Sequence, residues 1–123
     1  MNNWERMKAG RLYNADSKDL EKYHSFGMET CDKFNRTPLW RKKRKQRLLE
    51  KLIPSAKDGG AAIFAPFYCE YGVNIHFGKG CFVNYKCTFL DCAPITLEDG
   101  VWVGANVTIA TPCHPFLSDE RLP

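Results

Sequence analysis

The chain has 123 residues, with six cysteines and a formal net charge of +4, and its length fits a single domain. The cysteines form no CxxC pair of the kind that binds zinc, and no apolar run approaches the length that crosses a membrane. The polar N-terminus lacks a signal peptide, so we expect a cytoplasmic protein with reduced thiols, no metal ion and no membrane partner.

Three helices are predicted in the first half of the chain. The first runs from Trp4 to Ala9 and is ended by Gly10. Asp16 or Ser17 caps the second, and Thr37-Pro38 begins the third, which ends near Leu52. Both longer helices have apolar residues at intervals of three and four, which predicts one packed face each. These faces comprise Leu20, Tyr23, Gly27, Cys31 and Phe34 in the second helix, and Trp40, Leu48, Leu49, Leu52 and Ile53 in the third.

Positive charge is concentrated in the third helix. The segment 36–51 holds 8 basic residues and one acid, whereas the rest of the chain holds 10 basic residues against 13 acids. The run from Arg41 to Arg47 is typical of a solvated helix face, and no aromatic residues interleave it. A nucleic-acid or nuclear-import patch and attraction of coenzyme phosphates are weaker alternatives, so no nucleic-acid partner is expected.

A six-residue repeat occupies the second half of the chain. Neither an α-helix nor a simple strand has this period, so the pattern predicts a coil of short parallel strands, with one residue of each hexad pointing inward. The first strand is expected at 63–69, and an antiparallel sandwich with glycine turns is the disfavoured alternative. The repeat comprises Tyr71, Phe77, Val83, Phe89, Leu97, Val103 and Ile109, with companions Ile75, Cys81, Cys87, Ala93, Val101 and Val107; Cys69 and Cys113 are also predicted to point inward.

Several motifs resemble the hexapeptide-repeat acyltransferases, and within them the maltose/galactoside O-acetyltransferase group. They are Trp4-Glu-Arg-Met-Lys-Ala-Gly-Arg-Leu-Tyr-Asn, Tyr71-Gly-Val-Asn-Ile-His-Phe-Gly, Val83-Asn-Tyr, Phe89-Leu-Asp and Thr111-Pro-Cys-His-Pro. The resemblance implies a mainly β fold, a left-handed parallel β-helix preceded by N-terminal α-helices. We therefore expect a helical region at 1–62, and β-helix rungs with a catalytic loop at 63–123. The family's members are longer, which implies a coil truncated at Pro123.

His114 is the leading catalytic candidate. It follows the last hexad in a loop with Pro112 and Pro115, and a neutral imidazole can remove a proton from a hydroxyl that attacks a thioester. The resemblance implies that His114 is the general base for acetyl transfer from acetyl-CoA to the hydroxyl of a small sugar or glycoside. It also implies a homotrimer with sites shared between neighbouring coils, and coenzyme-binding residues located after Pro123.

Asn84 and Asp91 are the candidates for binding the sugar acceptor. Both are at predicted corners, where amide and carboxylate groups suit sugar hydroxyls and turns equally well, and the resemblance favours acceptor binding. In the family's N-terminal motif an acidic residue contacts the sugar, and Asp16 lies within one position of the matching place in this chain. Two departures are Val73, where some members have serine, and Phe82, where many have tyrosine. The remaining histidines are expected to be structural (His76) and on a helix surface (His24).

Two functions are compatible with these features. The first is an acetyl-CoA-dependent sugar O-acetyltransferase with His114 as base. The second is a non-catalytic, truncated homologue that serves as an assembly or binding module. A reading frame that continues past Pro123 with further hexads would favour the enzyme.

Overall fold

The computed structural model describes residues 1–121, so the predicted end of the coil at Pro123 lies outside the described residues. Its helices are α1 (Asn3–Lys8), α2 (Lys18–Arg36), α3 (Lys42–Leu52) and α4 (Ser118–Arg121), with a 3₁₀ turn at Pro54–Ala56. Among the described residues, no helix is both long and apolar enough to span a membrane. The strands are β1 (Ala61–Ile63), β2 (Phe67–Cys69), β3 (Ile75–Phe77), β4 (Cys81–Val83), β5 (Cys87–Leu90), β6 (Ile95–Leu97), β7 (Trp102–Val103) and β8 (Thr108–Ala110).

The strands form three parallel sheets that wind around one axis. The sheet orders are β1-β4-β7, β2-β5-β8 and β3-β6, so each of the first five strands pairs with the strand three places further along the chain. Every paired residue lies 20 positions from its partner, as in Phe67 with Cys87 and Ile75 with Ile95. The structure confirms the left-handed parallel β-helix and excludes the antiparallel sandwich.

The general prediction of one inward residue per hexad is wrong, because two residues of most strands point inward. The second is the companion position, where Cys69, Cys81 and Cys87 were predicted to point inward and are buried. In β1, β2, β3 and β6 the first and third residues are buried and the middle one is exposed. This follows from the alternation of side chains along a strand. Val107 and Ile109 continue the series of inward-pointing residues. They are only half-buried, because β8 is the last described strand of its sheet. The buried strand residues are Ala61, Ile63, Phe67, Cys69, Ile75, Phe77, Cys81, Val83, Cys87, Phe89, Ile95, Leu97 and Val103.

The repeat slips by two residues at two places, and the sequence pattern predicted only the second of them. Two extra residues follow β5, as predicted, but two extra residues also follow β2, which makes each turn 20 residues long. Tyr71 and Ala93 therefore belong to corners and not to strands, contrary to the predicted repeat. Tyr71 packs against Met7, Leu20 and Cys92 instead.

The helices pack directly on the coil. Side chains from α2 and α3 share one hydrophobic core with the strands, and α2 contacts β2. The coil begins at Ala61, two residues before the predicted boundary between the helical and coil regions. Gly72, at the first long corner, has a φ of 83°. A Cβ there would collide with the carbonyl oxygen of Leu52, so the close approach of α3 to this corner requires glycine.

The third helix begins later than predicted. Thr37 ends α2, since its N–H donates to the carbonyl of Lys33, and α3 starts only at Lys42. Trp40 precedes the helix and is 78% exposed, so it is not part of the packed face. The Lys45 ammonium donates to the carbonyl oxygens of Phe34 and Thr37 at 2.9 and 3.1 Å, which satisfies the C-terminus of α2. One cation of the basic run therefore has a structural role.

Candidate functional site

The loop that carries His114 is tied to the turn of coil beneath it. Thr111 follows β8, and its backbone N–H donates to the carbonyl of Leu90 at 3.1 Å. The Thr111 hydroxyl donates to the same carbonyl at 2.9 Å and accepts from the N–H of Ala93 at 2.8 Å. His114 and Cys113 are exposed three and two residues later, so the prediction that Cys113 points inward is wrong. The hydroxyl of Thr111 thus anchors the start of an exposed histidine loop.

Three segments related by the 20-residue repeat stack on one another at one corner of the coil, and the uppermost segment is the histidine loop. They are 71–74, 91–94 and 111–114, the last of which contains His114. Hydrogen bonds connect the three levels, from Asn74 to Asp91 in the lower pair and from Ala93 to Thr111 in the upper pair. The histidine loop therefore rests on a stacked and bonded corner.

Asp91 is at the centre of that corner and is fully buried. One carboxylate oxygen accepts from the backbone N–H groups of Glu70 and Tyr71 at 3.2 and 2.9 Å, and the other accepts from the N–H of Asn74 at 3.2 Å. Burial raises the pKa of Asp91, and the N–H groups of Tyr71 and Asn74 oppose that rise. With both oxygens inside the protein, this carboxylate has no exposed surface to offer a sugar in this conformation.

The N-terminal segment packs on the same corner. Trp4 stacks on Tyr23, with 4.5 Å between ring centroids, and meets Tyr71 edge to face at 5.1 Å. Burial and the neighbouring Cys92 thiol raise the pKa of Tyr13 to about 12, so this phenol stays protonated at neutral pH. Burial also raises the pKa values of the Tyr71 phenol and the Cys92 thiol.

Asp16 is exposed on the loop between α1 and α2, three residues after Tyr13. Its backbone N–H donates to the side chain of Asn14 at 3.0 Å, and the N–H of Asn14 donates to the side chain of Asn3 at 2.9 Å. These bonds hold the loop while the Asp16 carboxylate faces solvent. Tyr13, three residues earlier, packs against the cluster that contains Tyr71 and Cys92.

Asn84 lies at a different corner from His114. It follows β4, its N–H donates to the carbonyl of Val103 at 3.0 Å, and its side-chain oxygen accepts from the N–H of Tyr85 at 2.8 Å. Strand β5 separates this corner from the one that contains Asp91. The structure therefore brings His114, Asp91 and the N-terminal cluster to one corner of a chain, and places Asn84 at another.

A cluster of aromatic rings includes Phe82 and Tyr85, which lie two residues before and one residue after Asn84 in the sequence. Phe82 and Trp102 are paired residues on the outer face of one sheet, with ring centroids 6.4 Å apart, and Trp102 is 77% exposed. The Phe64 ring lies 5.0 Å from those of Phe82 and Tyr85. The sequence shows that these aromatic residues are neighbours only when the length of one turn, 20 residues, is known. No hydroxyl is present at Phe82 or at Val73, which is 45% exposed.

The other two histidines differ in their surroundings. His24 is more than a surface residue, because its Nε2 lies 2.5 Å from a carboxylate oxygen of Glu70 and joins α2 to the coil. His76 is exposed at the middle of β3, so its side chain takes no part in the core. Among the described residues, no cluster of three or more histidine, cysteine or acidic side chains has the arrangement of a metal site.

Comparison with known proteins relates the chain to sugar acetyltransferases. Residues 6–57 match the family model described as the maltose acetyltransferase hexapeptide capping motif. Over 98% of its length the chain is 30% identical to a galactoside O-acetyltransferase of Lactococcus lactis subsp. lactis. Over 98% of its length it is also similar to the structure of a maltose O-acetyltransferase of Clostridium difficile 630, with 32% identity and a TM-score of 0.91.

A third similar protein was solved with a ligand. It is a hexapeptide-repeat acetyltransferase of Vibrio cholerae O1 biovar eltor in complex with acetyl coenzyme A, with 25% identity, a TM-score of 0.78 and 98% of this chain covered. The chain spans 58% of the Lactococcus protein and 64% of each of the two solved chains. The likeness therefore covers the helices and the described turns of coil, including the corner that carries the His114 loop.

Proposed function

This chain belongs to the hexapeptide-repeat acetyltransferases of the maltose and galactoside group, and from that membership we propose that it transfers the acetyl group of acetyl-CoA to a hydroxyl of a small sugar or glycoside. The observation that carries the proposal is His114, an exposed imidazole on a loop anchored by Thr111 to the rigid coil. The names of the similar proteins support the substrate class, and the acetyl coenzyme A complex of the Vibrio protein supports the donor.

In the proposed reaction His114 acts as the general base. Its neutral imidazole takes the proton of the acceptor hydroxyl while that oxygen attacks the thioester carbonyl carbon of acetyl-CoA. The carbon–sulfur bond then breaks, and the leaving thiolate takes the proton from the imidazolium. The products are an acetyl ester and free coenzyme A, and the imidazole returns to its neutral form without a covalent enzyme intermediate.

We assign the corner residues different roles in this reaction. The side-chain amide of Asn84 and the exposed carboxylate of Asp16 are proposed to orient the acceptor, because amide and carboxylate groups match sugar hydroxyls. Asp91 is proposed to hold the corner beneath the histidine loop and not to contact the sugar, since its oxygens accept from backbone N–H groups.

A homotrimer is proposed as the working assembly. In one chain Asn84 and His114 lie at different corners, separated by β5, and a site formed between neighbouring coils would bring both to one acceptor. The exposed rings of the aromatic cluster that includes Phe82 and Tyr85 offer apolar surface for such a contact. A monomer mass from sedimentation equilibrium, measured on active protein, would contradict this assembly.

Release of coenzyme A tests the activity directly. The protein is incubated with acetyl-CoA and a panel of maltose, glucose and galactosides, and the free thiol is followed with a colorimetric reagent. The variant Cys113→Ser removes the protein's exposed thiol from the background. We expect release above the acceptor-free blank with at least one sugar. Release that equals the blank with every sugar would favour the non-catalytic assembly or binding module.

Replacement of Thr111 tests the anchoring of the loop. Thr111→Val keeps the shape of the side chain but removes both hydroxyl hydrogen bonds, so we expect kcat to fall about 10-fold or more with little change in KM, because a small displacement of a base slows proton transfer. Thr111→Ser retains the hydroxyl and is the matched control, with near-normal kcat. Equal kcat values for the valine and serine variants would show that the hydroxyl does not position His114.

A further inference from the structure

Two cysteine thiols meet where α2 packs on the coil. Cys31 lies in the second half of α2 and Cys69 is the last residue of β2, and their sulfur atoms are 3.4 Å apart. Both side chains are buried, at 3% and 7% exposure. The pair therefore brings together parts of the chain that are 38 residues apart in sequence.

The other thiols inside the coil have different partners. The Cys81 thiol donates to the carbonyl of Glu98 at 3.2 Å, and the Cys87 thiol donates to the carbonyl of Gly104 at 3.1 Å. These thiols are small core residues with a backbone acceptor. The Cys31 and Cys69 thiols face each other instead, so they are the ones placed to react together.

Contacts on both sides of the pair hold α2 against β2. On one side the Asn35 side chain donates to the carbonyl of Phe67 at 2.9 Å and accepts from its N–H at 2.8 Å. On the other side His24 joins Glu70 at 2.5 Å, and Gly27 lies so close to the backbone of Glu70 that a Cβ would not fit. The two sulfur atoms are thus kept in contact by bonds that do not involve them.

We propose that Cys31 and Cys69 are an oxidation site that closes to a disulfide with hydrogen peroxide and joins α2 covalently to the coil. The Cys31 sulfur attacks one peroxide oxygen, the O–O bond breaks, and water leaves with the thiol proton, which gives a sulfenic acid. The Cys69 sulfur then attacks the Cys31 sulfur, the S–O bond breaks, and a second water leaves with the Cys69 proton. Two thiols are oxidised and one peroxide is reduced to two waters.

The contact is symmetric in the two thiols, and their burial limits the size of the oxidant. The two sulfur atoms share one hydrogen bond in which either thiol can donate, so the same two steps with the roles of Cys31 and Cys69 exchanged give the same disulfide. Burial of both sulfur atoms favours peroxide, which is close to water in size, over a bulky disulfide oxidant. The inference does not depend on the proposed acetyltransferase activity.

Peptide mapping after peroxide treatment tests this site. The Cys113→Ser protein is treated with hydrogen peroxide, and we expect a loss of about 2 Da and a linked peptide pair that contains Cys31 and Cys69, both reversed by dithiothreitol. The melting temperature of the oxidised protein is expected to rise by about 10 °C, because the crosslink restricts the unfolded chain. The measurement uses the folded chain without any change at the two cysteines.

Serine variants identify the reacting pair. Cys31→Ser and Cys69→Ser should each abolish the mass loss, and Cys87→Ser, another buried thiol, should leave it unchanged. If either serine variant fails to fold, the mapping of the Cys113→Ser protein still decides the question. Oxidation to sulfinic acid without a linked peptide, or a link to any other cysteine, would overturn the proposal.

Discussion

Replacing His114 with alanine is expected to lower the rate of acetyl transfer by about 10²-fold to 10⁴-fold, which is the usual contribution of a positioned general base. The physical reason is that the acceptor hydroxyl would have to lose its proton to water while it attacks the thioester. Because His114 is exposed on a loop and contributes nothing to the core, the melting temperature should stay unchanged. The measurement is release of coenzyme A with the best acceptor from the sugar panel.

Histidine 76 provides the matched control for this experiment. His76 is also exposed, but it lies at the middle of β3, on the outer face of the coil. His76→Ala should retain the normal rate, and partial recovery of His114→Ala in imidazole buffer would separate loss of the base from damage to the loop. A His114→Ala protein with an unchanged rate would remove His114 from the mechanism and leave the proposed reaction without its base.

The parallel coil could be predicted from the sequence because its inward residues repeat along the chain. The first slip of the repeat could not, because Tyr71 is aromatic and occurs six residues before Phe77, as an inward residue would. Its side chain packs against the N-terminal helices instead, a contact between segments far apart in sequence. Local spacing therefore identified the architecture but not the length of one turn.

The start of α3 was missed for a similar reason. Thr37-Pro38 has the composition of a helix start, but the ammonium of Lys45 binds the carbonyl oxygens at the end of α2 and leaves the intervening residues as a turn. That contact depends on how α2 and α3 pack on each other, which helix propensity does not describe. The same limitation applies to Trp40, whose spacing suggested burial although it lies outside the helix.

The residue types of the candidate site could be predicted from the sequence, but the different contacts that these residues make could not. Asn84 and Asp91 both follow strands, and both side-chain types suit a turn as well as a sugar. The difference is that three backbone N–H groups of the preceding turn converge on Asp91, and only the folded chain brings them there. His114 stands out in the sequence because the repeat ends before it and prolines flank it, and its catalytic role stays a prediction.

Replacing Asp91 with alanine is expected to destabilise the fold by about 3 kcal/mol or more. Its carboxylate accepts from the N–H groups of Glu70, Tyr71 and Asn74, and each buried donor left without an acceptor costs about 1–3 kcal/mol. The loss should exceed that of most single substitutions, because three backbone donors lose their acceptor at once. Urea unfolding followed by circular dichroism measures the change.

Asparagine at position 91 separates hydrogen bonding from packing. Asp91→Asn keeps the size of the side chain, but its amide NH₂ group must face at least one backbone N–H, so we expect a loss of about 1–3 kcal/mol, smaller than for alanine. Glu98→Gln makes the same chemical change at an exposed position and should alter stability by less than about 0.5 kcal/mol. If Asp91→Asn were as stable as the unchanged protein, the carboxylate would not be needed to hold the corner, and a direct role in binding the sugar would become the better explanation of this residue.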